Sequence, residues 1–197
     1  MNAFDRLFDF HTPVSDRLEA AESLGTGIDQ TRFYPLTGLM GRSEPELTSV
    51  LRRVLVEAGA SRFFASQLAS PDSEERRRAA EAMALVGDSE SVPILIDALD
   101  DPDASVRAEV ATTLMVFRDP QMESKITDRL ISDPDPDVRA ACAQALATLP
   151  GSLPQSILQA AYEAEEDEFA RVLIDVSLQR QSALTEAERF EALRTRL

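Results

Sequence analysis

The sequence predicts an all-α fold in which an antiparallel pair of helices is repeated along the chain. A motif at residues 101–117, which begins Asp-Pro-Asp, has recognisable copies that begin at Ser70 and Asp133, so its spacing is nearly constant. Residues 44–58 carry apolar side chains three and four residues apart, a period typical of one face of an α-helix. A motif that recurs at a nearly constant spacing, in segments with this helical period, indicates a repeat array in which each unit packs on its neighbours.

Each of the three clearest copies begins with a helix-start signal. A serine or aspartate is followed by proline at Ser70-Pro71, Asp101-Pro102 and Asp133-Pro134. A side chain of this type accepts a backbone N–H at the start of a helix, and proline lacks the N–H that would have no partner at the first helical position. We therefore predict that Ser70, Asp101 and Asp133 are N-caps.

We predict an N-terminal segment, 1–12, and a repeat region, 13–197, because the stretch that follows Pro13 resembles residues 75–83 and so forms a first, degenerate copy of the motif. The helical spacing of Phe4 and Phe8 indicates either a short helix in the N-terminal segment or an apolar tag that packs on the first repeat. The last repeat is predicted to be a helix pair over 166–181 and 185–196, because Thr185 to Glu188 is close to a capping box. The predicted repeats are approximately 13–41, 44–69, 70–100, 101–132, 133–164 and 165–197.

Apolar residues recur once per repeat in the second helix of each predicted pair. The core column consists of Phe33, Phe64, Leu95, Ile126 and Leu158, and a second column consists of Leu68, Leu99, Leu130 and Tyr162. Side chains that recur in this way stack into a continuous apolar seam, which buries surface that a lone helix pair could not bury.

The composition argues against several classes of protein. With 35 acidic and 20 basic residues, the chain has a formal net charge of −15, which repels phosphate backbones, so we expect no nucleic-acid partner. The N-terminus lacks the basic and apolar regions of a signal peptide, and no apolar stretch approaches the roughly 20 residues of a membrane span. A single cysteine cannot form an intramolecular disulfide. These features predict a cytoplasmic protein with no membrane partner.

The sequence offers no usable combination of catalytic residue types. Cys142 falls on an apolar helix face and is expected to be a buried core residue. His11 has no cysteine or acidic residue at a ligand spacing, so we expect no metal site there. The acidic run at 163–168 is predicted to be solvated rather than to bind a metal. The sequence therefore favours a protein without catalytic residues, metal or cofactor.

Residues 101–111, 133–143 and 91–99 look like HEAT repeats of the short type named after phycobilisome lyases. The resemblance implies an α-α solenoid, or superhelix, of about six helix pairs, with the second helices on the concave side, where members commonly bind partners. It also implies that a recurring arginine pairs with an acidic residue of a neighbouring turn. The resulting ladder, expected to stabilise the repeats rather than to bind an anion, comprises Arg76, Arg107 and Arg139 with Asp101 and Asp133.

The residues predicted to bind a partner lie mainly one position before the core column of the second helices, which the resemblance places on the concave face. They are Arg32, Phe63, Ile94, Lys125 and Ile157, with an acidic border of Asp97, Asp128 and Glu163. Contact with a neighbouring helix is the alternative role for the apolar members of this set.

Two hypotheses about function follow. The first is a non-enzymatic scaffold, adaptor, or assembly or maturation factor that holds a protein partner, and the acidic surface favours a partner with a basic segment. The second rests on the resemblance alone: a bilin lyase or isomerase, or a factor that handles phycobiliproteins. A linear tetrapyrrole cofactor belongs only to the second hypothesis, and both hypotheses leave the oligomeric state open.

Overall fold

The computed structural model describes residues 2–151 and 153–194, and for 188–194 it describes the helical backbone alone. This part of the chain contains twelve α-helices and no strand. The helices are α1 (Ala3–Phe8), α2 (Val14–Leu24), α3 (Phe33–Met40), α4 (Pro45–Glu57), α5 (Ala60–Gln67), α6 (Ser73–Val86), α7 (Val92–Ala98), α8 (Ala104–Phe117), α9 (Glu123–Ser132), α10 (Pro136–Leu146), α11 (Leu153–Ala164) and α12 (Glu168–Arg194).

The predicted fold class is confirmed, because the described chain is all-helical and of the α-α solenoid type. The predicted core column is buried throughout, at Phe33, Phe64, Leu95, Ile126 and Leu158. None of the described helices is both long enough and apolar enough to cross a membrane. The chain divides into two compact units, Met1–Ser91 and Val92–Leu197.

In the first unit, α1 packs against α2, α2 against α4, and α5 against α6. Its core includes Leu7, Leu51 and Met83, which are fully buried. Four aromatic rings from α3 and α5 meet within this unit, with centroid separations of 5.0 to 6.2 Å among Phe33, Tyr34, Phe63 and Phe64. Rings at these distances and tilted to one another give packing energy beyond area burial alone.

In the second unit, α10 is the central helix and packs against α8, α9 and α12. Its buried side chains are mostly alanines, including Ala140, Ala143 and Ala145, so neighbouring helices can approach it closely. Larger apolar residues on the surrounding helices fill the space around it, such as Leu114 and Ile174.

The predicted helix starts are wrong by two residues in each case. The N-caps are Asp72, Asp103 and Asp135, whose side chains accept backbone N–H groups of α6, α8 and α10. The predicted caps instead accept from the backbone N–H two residues on, closing a turn that precedes each helix, at 3.2 Å for Ser70, 2.9 Å for Asp101 and 3.1 Å for Asp133. Both arrangements use the same side-chain chemistry, so the sequence signal fits either position.

The predicted final helix pair is also wrong. Residues from Glu168 to Arg194 form the single helix α12, and Thr185 lies inside it rather than at a helix start. The Thr185 hydroxyl donates to the carbonyl of Gln181, one turn earlier, at 3.1 Å. No glycine or proline interrupts this stretch, so nothing in it breaks the helix. Residues 195 and 196 of the predicted closing helix lie outside the described residues.

Candidate functional site

Two arginines near the start of α8 and α10 hold buried carboxylates from a following turn. Arg107 binds Asp133 through Nε–Oδ2 and Nη2–Oδ1 distances of 2.8 Å each. Arg139 binds Glu165 in the same forked geometry, at 2.7 Å and 2.6 Å. Such bidentate pairs fix both partners in position as well as adding energy. The structure thus brings Arg107 and Asp133 of the predicted ladder together.

Each ladder arginine also donates to a backbone carbonyl six residues earlier. The Nη1 atoms of Arg76, Arg107 and Arg139 lie 2.9 Å from the carbonyl oxygens of Ser70, Asp101 and Asp133. The turn before each helix is therefore tied to the helix that follows it, and the arginines have a structural role.

Sequence reasoning missed two members of this arrangement. Glu165 was placed in a solvated acidic run, yet it is buried against Arg139. Arg17 is the fourth residue of α2, as Arg76 is of α6, and it donates to the carbonyl of Leu7 at 3.2 Å and pairs with Glu44 at 3.3 Å. The signal for Glu165 was its position, since it follows Asp133 at the same interval along the chain as Asp133 follows Asp101.

The two buried carboxylates have pKa values below their ordinary range. Burial alone would raise the pKa of Asp133, but hydrogen bonds from Arg107 and from the Asp135 backbone, with the charges of Arg107 and Arg129, outweigh burial and lower it. For Glu165, the hydrogen bond with Arg139 lowers the pKa more than burial raises it. Both groups are therefore ionised at neutral pH.

An apolar cleft of about 650 Å³ lies between α9 and α11 in the second unit. One wall is the end of α9, where Ile131 is 68% exposed although it is a large apolar residue. The opposite wall is a face of α11 on which small side chains leave room for a ligand. The apolar lining residues are Leu130, Ile131, Ile157, Ala160, Ala161 and Ala164.

The charged residues of the cleft lie near the C-terminal ends of α9 and α11. Asp133, Arg139, Glu165 and Glu166 all line it, as do Ser132 and Ala164, the last residues of the two helices. Three of the four charged groups belong to the ladder described above. Glu166 is exposed, and its carboxylate forms no ion pair with any residue that the structure describes.

The central part of the chain is similar to a known family of repeats. The model of a family described as HEAT repeats matches residues 61–147. This segment is therefore similar to HEAT repeats. No curated protein matches the chain. A crystal structure titled as that of an engineered protein is similar to this chain with a TM-score of 0.51 and 18% sequence identity, covering 94% of this chain and 98% of that chain. At this identity the similarity concerns the fold alone.

Of the eight residues predicted to bind a partner, Ile157 alone lines the cleft between α9 and α11. In the second unit, Lys125 is half-buried and pairs with Asp100 at 2.6 Å, and Ile94 is 42% exposed. Asp97, Asp128 and Glu163 are exposed.

In the first unit, Arg32 is exposed and its guanidinium carbon lies 4.6 Å from the centre of the Phe4 ring. Phe63 is half-buried within the aromatic cluster of α3 and α5, with its ring 5.4 Å from that of Phe33. Phe63 therefore packs between helices, which is the alternative role that the sequence left open for it.

Neither Cys142 nor His11, the two residues considered as reactive groups, lines the cleft. Cys142 is fully buried in α10, and burial raises the pKa of its thiol to about 12, so the thiolate is scarce at neutral pH. His11 is exposed in the turn after α1, where its backbone N–H donates to Asp9 at 3.0 Å.

Proposed function

We propose that this protein is a non-enzymatic scaffold, acting as an adaptor or as an assembly or maturation factor, that holds a protein partner in the cleft between α9 and α11. The observation that carries the proposal is the apolar lining of this open cleft, above all the 68% exposure of Ile131. A contiguous apolar surface exposed to water is costly, and on folded proteins it marks binding sites.

The charge of the chain supports a partner with a basic segment. A net charge of −15 steers a positively charged surface toward the protein and disfavours acidic partners. Association of this kind weakens as salt is added, because at 0.1 M ionic strength charges more than about 10 Å apart are largely screened from each other. The acidic surface therefore selects for charge, while the apolar cleft provides the contact area.

The cleft is also large enough for a small molecule, which keeps bilin handling as the second candidate. A linear tetrapyrrole carries propionate groups that need cations. Among the described lining residues the sole cation is Arg139, whose Nε and Nη2 already bind Glu165. A protein partner therefore suits the cleft better, and phycocyanobilin added to the protein should neither co-elute with it nor change its visible absorbance.

Affinity capture with paired variants tests the proposed function. We expect immobilised wild-type protein to retain a specific partner from the lysate of its source cells, and Ile131→Asp to retain about tenfold less, because a charge would be placed on the apolar wall. Since Ile131 is mostly exposed, this change should leave the fold intact, as far-UV circular dichroism can verify. Val116→Asp is the matched control, because Val116 is 54% exposed on α8 and is not a lining residue. Equal recovery with both variants would contradict the proposal.

A further inference from the structure

We infer that the cleft between α9 and α11 fixes the direction of the partner segment: bulky apolar side chains lie along the α11 alanines, and a lysine or arginine lies beside Glu166. This inference rests on the proposed function and adds to it the chemistry and the orientation of the ligand. It follows from where the cleft is apolar, where it is charged, and which of its charges are already paired.

The apolar part of the cleft has room for large side chains because one of its walls is built from small ones. Ala160, Ala161 and Ala164 lie on adjacent turns of α11 and line the cleft, and Ile131 and Ile157 frame them. A leucine, methionine or aromatic side chain placed over these alanines buries apolar surface on both molecules. Burial of such a side chain favours binding in proportion to the apolar area removed from water.

Charged groups join this apolar lining at the end of the cleft where α9 and α11 terminate, next to Ile131 and Ala164 in the chain. Helix C-termini carry partial negative charge, and Ser132 and Ala164, the last residues of the two helices, both line the cleft. Two such termini close together favour a cation over an anion at this end. The effect adds to that of the acidic side chains on the turn that follows α11.

Among the charged lining residues, Glu166 is available to a ligand. Asp133 is held by Arg107, and Glu165 by Arg139, so these groups are neutralised within the protein. The Glu166 carboxylate is exposed and unpaired among the described residues, with the exposed Glu163 and Glu168 nearby in the chain. A basic side chain from the partner therefore finds a counter-charge at this end, whereas an acidic one meets repulsion.

Selection of random linear peptides displayed on phage tests both the cleft and its direction, and it does not require the natural partner. The folded full chain is the target, in four forms: wild type, Ile131→Asp, Glu166→Lys and Glu186→Lys. Glu186 is exposed on α12 and is not a lining residue, so it is the matched control for a charge reversal. Binding of the selected peptides to each form is then measured by fluorescence anisotropy.

We expect peptides selected on the wild type to combine bulky apolar residues with lysine or arginine at one end. Their affinity should fall at least about tenfold for Glu166→Lys and remain unchanged for Glu186→Lys. Selection on Glu166→Lys should instead enrich peptides with an acidic end. Peptides that need Ile131 but show no charge preference, or no response to Glu166→Lys, would overturn the inference while leaving the proposed function intact. Failure to recover any peptide that depends on Ile131 would overturn both.

Discussion

Replacing Arg107 with alanine should lower the free energy of unfolding by about 3–5 kcal/mol, the range measured when one partner of a buried ion pair is removed. The Asp133 side chain is fully buried and accepts two hydrogen bonds of 2.8 Å from Arg107. Arg129 also approaches Asp133, but only to 3.4 Å, so it can replace no more than part of the lost interaction. Chemical denaturation followed by far-UV circular dichroism measures the change.

Lys125→Ala is the matched control for Arg107→Ala. Lys125 pairs with Asp100 at 2.6 Å, but the Asp100 side chain is 53% exposed, so we expect a loss of only about 0–1 kcal/mol. If Arg107→Ala costs no more than Lys125→Ala, the buried pair does not stabilise the second unit as described. Replacing both members, with Arg107→Met and Asp133→Leu, should recover part of the stability, because no buried charge is left unpaired although the hydrogen bond from the Asp135 backbone is lost.

The difference in the free energy of unfolding between wild type and Arg107→Ala should become smaller as the pH falls. Because the folded-state pKa of Asp133 lies below its ordinary value of 3.8, the pair stabilises the folded state above that value. This contribution is lost as the pH falls through the lower, folded-state pKa. The stability gap should therefore be constant near neutrality and narrow below about pH 4.

Replacing Phe64 with alanine should destabilise the first unit by about 3–5 kcal/mol, as expected for a large buried side chain whose removal leaves a cavity. Phe64 is fully buried, and its ring centre lies 5.0 Å from that of Tyr34 and 5.4 Å from that of Phe63. The ring therefore contributes edge contacts to its neighbours as well as burial. The sequence contains no tryptophan, so the helical circular dichroism signal is the appropriate probe of unfolding.

The control for this change is Phe169→Ala on α12. Phe169 is 65% exposed, so its removal should change the free energy of unfolding by less than about 0.5 kcal/mol. A small effect of Phe64→Ala, comparable to that of Phe169→Ala, would mean that the aromatic cluster of α3 and α5 is not a packed core.

The helical repeat could be predicted because it is encoded redundantly. A core position such as Ile126 is identified twice, by the helical period within its own segment and by its recurrence at Leu95 and Leu158 in neighbouring repeats. All three residues are fully buried. Where two independent patterns agree in this way, burial follows from the sequence alone.

Helix ends were harder to predict because different local structures use the same residues. Asp101 and Asp103 both accept a backbone N–H two residues on, yet only Asp103 caps α8. The capping pattern at Thr185 has no effect inside α12, because the preceding residues contain no helix breaker. Local hydrogen-bonding chemistry alone does not say which of two equivalent positions begins a helix.

The cleft could be predicted only in part. Ile157 was identified from its place beside the core column, whereas Ile131 and Ala164 stand in no recurring column of the sequence. Their grouping depends on how α9 and α11 pack against the neighbouring helices, which the repeat pattern does not specify. Glu165 could have been identified from its interval after Asp133, but the surrounding run of acidic residues resembled a solvated segment.

Hydrogen–deuterium exchange on the purified complex shows directly whether the partner occupies the cleft between α9 and α11. The residues that line the cleft fall mainly in two segments, residues 130–133 at the end of α9 and residues 156–166 along α11 and its following turn. We predict that partner binding slows exchange in these two segments and leaves α8 around Val116 unchanged. If exchange slows on other helices while both cleft segments exchange as in the free protein, the partner does not occupy the cleft.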